Sequence, residues 1–197
     1  MKVDSRQGLI TTVAYKIGQS PTVYALEGSV AVAGAALSWL RDNMQLFSNI
    51  TQIQNMAECV KSSGDVYFVP AFSGLYAPYW QQDARGVICG ITEDTEQYHI
   101  IRAALEAVCF QTRDMLEAMV KDSGTNLSML QVDGGMTVNN LLMQLQADLT
   151  GITVVRPNMV ETTALGAAIL AAIGVDLIDI NEVDVSQVTK FSPMIVI

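Results

Sequence analysis

An α/β domain, one mixed sheet flanked by helices, is the fold class this sequence predicts, and three observations predict it. Short runs of β-branched and aromatic residues alternate with stretches of helical period. From Glu96 onward the order is long helix, strand, helix, strand, helix, an alternation that suggests a mixed sheet covered by helices. Within Leu130–Asn140, an apolar run ends in Asp133-Gly134-Gly135 just before a helical pattern begins.

Gly8–Tyr15 is rich in β-branched and aromatic residues and reads as a strand; Lys16–Pro21 supplies a turn, and Val23–Glu27 the returning strand of a hairpin. Ser29–Leu46 reads as a helix, with Val32, Ala36, Leu37, Leu40 and Met44 at three- and four-residue intervals. Gly34 falls inside that run, where it costs about 1 kcal/mol against Ala. Close helix packing or a ligand at the helix face would explain it. A second helix over Ile50–Lys61 ends at Ser62-Ser63-Gly64 and leads into a short buried strand within Asp65–Pro70. Ala71–Trp80 is aromatic without either period, and is read as a packed plug or as the wall of a cleft. Gly86–Ile91 is a strand. The longest helix runs over Glu96–Lys121, with Ile100, Ile101, Leu105, Val108, Cys109 and Leu116 on its apolar stripe, and stops at Asp122-Ser123-Gly124. A helix over Val138–Leu149, a strand over Ile152–Val155 cut by Pro157, and a small-residue helix over Thr163–Ile173 suited to tight packing follow. The tail from Asp176 holds a weak helix or loop and then an extended run, Val185–Phe191.

With 197 residues, half of them hydrophobic and 16% charged, the chain can bury one substantial core, with room for a small subdomain. A net charge of −9 without any basic cluster argues against a nucleic-acid surface. No apolar stretch is long enough to span a membrane, and the first residues have no signal-peptide pattern. Cys59, Cys89 and Cys109 lie too far apart in sequence for metal-ligand pairs and read as reduced, buried thiols of a cytoplasmic protein. The single histidine, His99, excludes a site that needs two.

The paired glycines of Leu130–Asn140 permit φ > 0 and let a ligand come against bare backbone. Thr137 is placed to cap the helix that follows, whose free N–H groups suit an anionic or polar ligand. Strand, glycine turn and helix then make a nucleotide seat; the plain alternative is a tight turn that binds nothing.

Several stretches resemble the FGGY carbohydrate kinases and, among them, the glycerol kinases. They are Tyr24-Ala25-Leu26-Glu27-Gly28-Ser29-Val30 with Gly34-Ala35 and Trp39-Leu40-Arg41-Asp42, and Val69–Leu75 with Ala77-Pro78-Tyr79-Trp80 and Ala84-Arg85-Gly86. Gly86-Val87-Ile88-Cys89-Gly90-Ile91, with His99-Ile100 and Ala103-Ala104-Leu105-Glu106, resembles the second FGGY signature. Val132-Asp133-Gly134-Gly135, Asn139 and Glu161–Ala168 complete a collinear likeness over nearly the whole chain. The aromatic loop and Gly-Gly-Met-Thr lean toward eukaryotic-type enzymes.

The resemblance implies an actin-like, ribonuclease-H-like domain, the second of two that close around ATP and glycerol. Residues 1–197 would be that single C-terminal domain; its first strands, the phosphate loops and the catalytic aspartate would lie outside this chain. No catalytic residue is then expected here. The resemblance assigns Gly34 to close approach of adenine, Gly135 to the turn beside the nucleotide, and Asn139 to an amide facing the adenosine. Ser38 stands one helical turn after Gly34, where the family often has glutamine, which weakens any adenine hydrogen bond from that position. Asp133 would hold Mg²⁺ through water or, the preferred reading, accept N–H bonds and fix the turn. Arg85 would reach a phosphate or carboxylate, or form a surface ion pair. ATP or ADP with Mg²⁺, whose ligands lie mainly outside this chain, glycerol as acceptor, no nucleic acid, no membrane insertion, and a homo-oligomer of the full-length protein complete the implied set. A kinase of xylulose, ribulose, fuculose or gluconate, and a non-catalytic nucleotide-binding module, are the alternatives.

Overall fold

The computed structural model describes residues 2–30, 32–179, 182–183 and 187–194. The chain divides into two compact units, Met1–Leu127 and Ser128–Ile197.

The first unit opens with the expected hairpin, β1 (Ile10–Tyr15) antiparallel to β2 (Val23–Glu27). Helix α1 spans only Gly34–Asp42, shorter than the periodicity of Ser29–Leu46 suggests. Gly34 is therefore its first residue and not an interior one, so the interior-glycine cost does not apply. At the other end, Leu46 N–H turns back to the Leu40 carbonyl at 3.1 Å, and Met44, counted on the apolar stripe, is exposed. The second helical run is likewise shorter: a 3₁₀ turn, Ile50–Gln52, leads into α2 (Ile53–Ala57). Asn49 caps it by accepting the Thr51 N–H at 3.0 Å. Strand β3 (Tyr67–Val69) pairs antiparallel with β4 (Val87–Cys89). It is buried on one face only: Phe68 points inward, while Tyr67 and Val69 are exposed.

Helix α3 (Gln97–Ser123) is the axis of this unit and packs on α1, α2 and β3. Its repeat at Ile101, Leu105 and Cys109 is fully buried, and Ala104, Ala107, Met115 and Ala118 widen the stripe. Its start is held by Glu96, whose side chain accepts from the backbone of His99, while the His99 ring accepts the Glu96 N–H at 3.0 Å. Gly124, at φ 66°, ends it in the left-handed conformation that glycine adopts most cheaply. Arg102 leaves the helix to donate to the Ala57 and Val60 carbonyls at 3.4 and 3.2 Å and pairs with Glu106 at 3.1 Å. At the far end, Ser5 Oγ and the Arg6 N–H donate to Asp122 at 2.5 and 2.9 Å. The Ser5 hydroxyl, with the Arg6 and Gln7 N–H groups, holds that carboxyl below its usual range.

The aromatic loop is partly a plug. Phe72 lies between Trp39 and Phe68, with ring centroids 5.1 and 6.2 Å away. Trp80 donates from its ring to the Gly8 carbonyl at 2.7 Å, and Tyr79 OH donates to Asp114 at 2.9 Å. Phe68, Phe72 and Trp39 also line an open groove with Arg85–Ile88. Of the cysteines only Cys109 is buried; burial, helped by the Glu106 charge, pushes its thiol far up. Cys59 and Cys89 are exposed, contrary to expectation, because one follows the end of α2 and the other faces outward from β4.

The second unit carries the mixed sheet, in the order β5 (Met129–Gln131), β6 (Thr153–Pro157), β7 (Val188–Phe191). β5 and β6 are parallel, with Leu130 opposite Val154; β6 and β7 are antiparallel, with Val155 opposite Lys190. Pro157 closes β6 rather than cutting it, and Val185 lies outside the described residues. Helix α4 (Asn140–Thr150) crosses between the parallel strands and buries Leu142, Met143 and Ala147. Asp148 Oδ1 accepts the Met194 N–H at 2.7 Å, tying the chain beyond β7 to α4. Helix α5 (Thr162–Gly174) contradicts the expectation of tight packing: none of its residues is buried, and Leu170 is 60% exposed. Within the described residues the strands form three separate sheets, and the three-stranded one is the mixed sheet expected from the sequence.

Candidate functional site

The parallel β5–α4–β6 unit places the carboxyl end of β5 beside the start of α4, the edge at which open α/β sheets receive ligands. The connection is built from Gln131 to Asn140. Val132 N–H donates to the Val155 carbonyl at 3.0 Å and carries the chain to the sheet edge. Gly134 then takes φ 86° and ψ 175°, a region essentially reserved for glycine, with its N–H on the Val160 carbonyl at 2.9 Å. A single 3₁₀ turn, Gly135–Val138, follows.

Only the first glycine of the pair is needed for the backbone. Gly135 does not have positive φ, and a Cβ built on it meets nothing within 4 Å. Space is thus open where a ligand is expected, and the turn itself would tolerate a methyl group there.

Thr137 does not cap the helix as expected. It is buried, and its hydroxyl donates to the Gly134 carbonyl at 2.7 Å, closing the turn on itself. The cap is Asn139: its Oδ1 accepts the Leu142 N–H at 2.9 Å. Its amide Nδ2 has no hydrogen-bond partner among the described residues, so two donors are left at the mouth of the turn. The pair Asn139-Asn140 ahead of Leu141-Leu142 carries that cap signal in the sequence.

Asp133 accepts a hydrogen bond from the Thr162 hydroxyl, the first residue of α5. A carboxylate there also lies at the positive end of the helix. The bond ties the turn to α5 through a side-chain hydroxyl, where the structural reading expected backbone N–H groups of the turn. Among the described residues, no group of three or more His, Cys, Asp or Glu side chains gathers as a metal site.

Gly34 and Ser38 lie one turn apart on α1 in the first unit, both half-buried; Asp133, Gly135 and Asn139 share the turn of the second. Arg85 is turned onto its own loop, with Nη1 donating to the Gln82 and Ala84 carbonyls at 3.0 and 2.7 Å. It takes no carboxylate partner among the described residues, so the surface ion pair is not formed. Sequence reasoning missed Arg156, on β6, which donates from Nη1 to the Thr137 carbonyl at 2.5 Å and to Asn140 Oδ1 at 3.0 Å.

The chain is 57% identical over 173 residues to a glycerol kinase of Roseiflexus sp. (strain RS-1), which covers 88% of this chain and 35% of that protein. It thus spans about a third of the length of the curated relatives it matches. The crystal structure of Plasmodium falciparum glycerol kinase with ADP superposes with a TM-score of 0.88 at 38% identity, over 99% of this chain and 40% of that one. A xylulose kinase from Lactobacillus acidophilus shares the fold, with a TM-score of 0.77 over 98% of this chain and 39% of that one, at 24% identity. These kinases share the actin-like fold expected from the sequence. Residues 2–175 match the FGGY family of carbohydrate kinases, C-terminal domain, and the chain belongs to that family.

Proposed function

We propose that this chain is the adenosine-binding, C-terminal part of a glycerol kinase, which transfers the γ-phosphoryl group of ATP to glycerol to give glycerol 3-phosphate. The observation that carries it is the turn Gly134–Asn139, which presents open space over Gly135 and unpaired amide donors on Asn139 at the carboxyl end of β5. ADP in the solved Plasmodium enzyme and the glycerol kinase relatives at more than half identity support both nucleotide and acceptor. The xylulose kinase, below one-quarter identity, supports the fold alone.

Phosphoryl transfer asks for positioning and charge neutralisation, with an aspartate to take the hydroxyl proton. In this reading the present residues do the positioning. The glycine turn excludes side chains from the nucleotide's place, and Asn139 donates to the adenosine. Mg²⁺ would neutralise phosphate charge, its ligands supplied by the nucleotide and by residues beyond this chain. In this reading residues 1–197 form one C-terminal domain of a cytoplasmic homo-oligomer; no described helix is long and apolar enough to cross a membrane.

The test compares this 197-residue chain with the intact protein in a coupled ADP-release assay. Turnover with glycerol in the intact protein, and none in the chain alone, is expected. Turnover by the chain alone at the intact rate, or an intact protein that prefers xylulose to glycerol, would refute the proposal.

A further inference from the structure

We infer that Arg156 is a positioning residue for the nucleotide turn, acting as a clamp from the neighbouring strand. The inference rests on the reading of Gly134–Asn139 as the nucleotide seat. Arg156 stands on β6, opposite Thr189 of β7, and its side chain leaves the sheet toward the turn that follows β5. One guanidinium nitrogen serves both ends of that turn. It donates to the carbonyl of Thr137, inside the 3₁₀ segment, at 2.5 Å and to Oδ1 of Asn140, the first residue of α4, at 3.0 Å. Asn139 lies between these two anchors. Fixing the carbonyl two residues before it and the side chain one residue after it restricts the rotation of its backbone, and with it the direction of the Asn139 amide.

The guanidinium is itself held in place. Its carbon sits 5.3 Å from the ring centroid of Phe191, on the last position of β7. A planar cation stacked on a ring loses little freedom when it also makes hydrogen bonds, which is why lysine is a poor substitute in such a place. The chain of contacts therefore runs from Phe191 through Arg156 to Thr137 and Asn140. No other charged side chain donates to the turn among the described residues. Thr137 closes the turn from within by bonding Gly134, whereas Arg156 closes it from outside.

Arg156→Met, which keeps an apolar stem beside Phe191 and removes every donor, and Arg156→Lys, which keeps the charge, test this in the intact protein. Amide hydrogen exchange across Gly134–Leu142 and ADP affinity are measured on both, with glycerol KM as the control. Arg156→Met should speed exchange of the Thr137–Asn139 amides and raise the ADP Kd, each by roughly tenfold, the scale of a lost hydrogen bond to a charged donor. Glycerol KM should stay within about twofold, far below that scale. Arg156→Lys should recover part of both effects. Unchanged exchange in the turn would overturn the clamp. So would a variant whose exchange rises across all of β5, β6 and α4 with the KM of both substrates rising together, since that marks a merely structural arginine. Failure of the underlying reading looks different: ADP would give the turn amides no protection in the unsubstituted protein, whatever Arg156 does.

Discussion

Asn139 has two separable uses, and two substitutions pull them apart. Its oxygen caps α4 through the Leu142 N–H at 2.9 Å, while its nitrogen is free among the described residues. Asn139→Asp keeps the oxygen, and its negative charge at a helix start is worth about 0.3–1 kcal/mol in its favour. It removes both donors and sets a charge where the nucleotide is proposed to lie. Asn139→Ala removes cap and donors together. Loss of the cap costs about 1 kcal/mol, a fall in Tm of roughly 2–4 °C for a protein region of this size. Loss of one neutral hydrogen bond to adenosine costs about 0.5–1.5 kcal/mol, roughly a three- to tenfold rise in the ADP Kd. The assay is calorimetric ADP titration of the intact protein, with a thermal melt in the absence of nucleotide. Asn139→Asp should melt no lower than the unsubstituted protein yet bind ADP at least as weakly as Asn139→Ala. Glycerol KM should hold in both. If Asn139→Asp binds ADP normally while Asn139→Ala does not, the asparagine serves only the helix, and its amide does not face the nucleotide.

The two glycines of the turn should behave oppositely. Gly134→Ala forces a methyl group onto a backbone at φ 86°, ψ 175°, and should cost about 1–3 kcal/mol of stability, read as a lower melting temperature. Gly135→Ala meets no atom within 4 Å and should melt normally but lose the ADP-induced rise in Tm; a full rise would place the nucleotide elsewhere. In the first unit, Arg102→Met strips the Ala57 and Val60 carbonyls of their donor and leaves the shielded Glu106 unpaired. A loss of about 2–4 kcal/mol in urea unfolding is expected, and a change below about 0.5 kcal/mol would show the latch to be idle.

Much of this could be read from the sequence because period and punctuation are local. The hairpin, the stripe of α3 from Ile101 to Cys109, and the strand–glycine–helix passage at Leu130–Asn140 all follow from residues near one another in the chain. Helix ends were less legible: α1 begins at Gly34, not near Ser29, and periodicity alone carries no information about where backbone hydrogen bonds stop. The division of labour inside the turn was hidden as well. Gly134 and Gly135 look alike in sequence, and only the dihedral angles show that one serves the backbone and the other leaves space. Thr137 and Asn139 are both good caps by type, and the fold uses the second. Arg156 and the Thr162 hydroxyl on Asp133 are contacts across 19 and 29 residues, beyond any local pattern.

Helix α5 has a consequence for how the isolated chain behaves in solution. Its sequence is almost wholly apolar, and Leu170 within it is exposed, as are Val175 and Leu177 just past its end. A wetted apolar patch on a body of net charge −9 sets two forces against each other: attraction at short range and electrostatic repulsion at longer range. Salt shortens the repulsion, to about 8 Å at physiological ionic strength, and leaves the attraction intact. The chain should therefore stay dispersed in dilute buffer and cluster as salt is added, the reverse of salting-in, so that light scattering rather than activity is the first property to register a charge placed on α5.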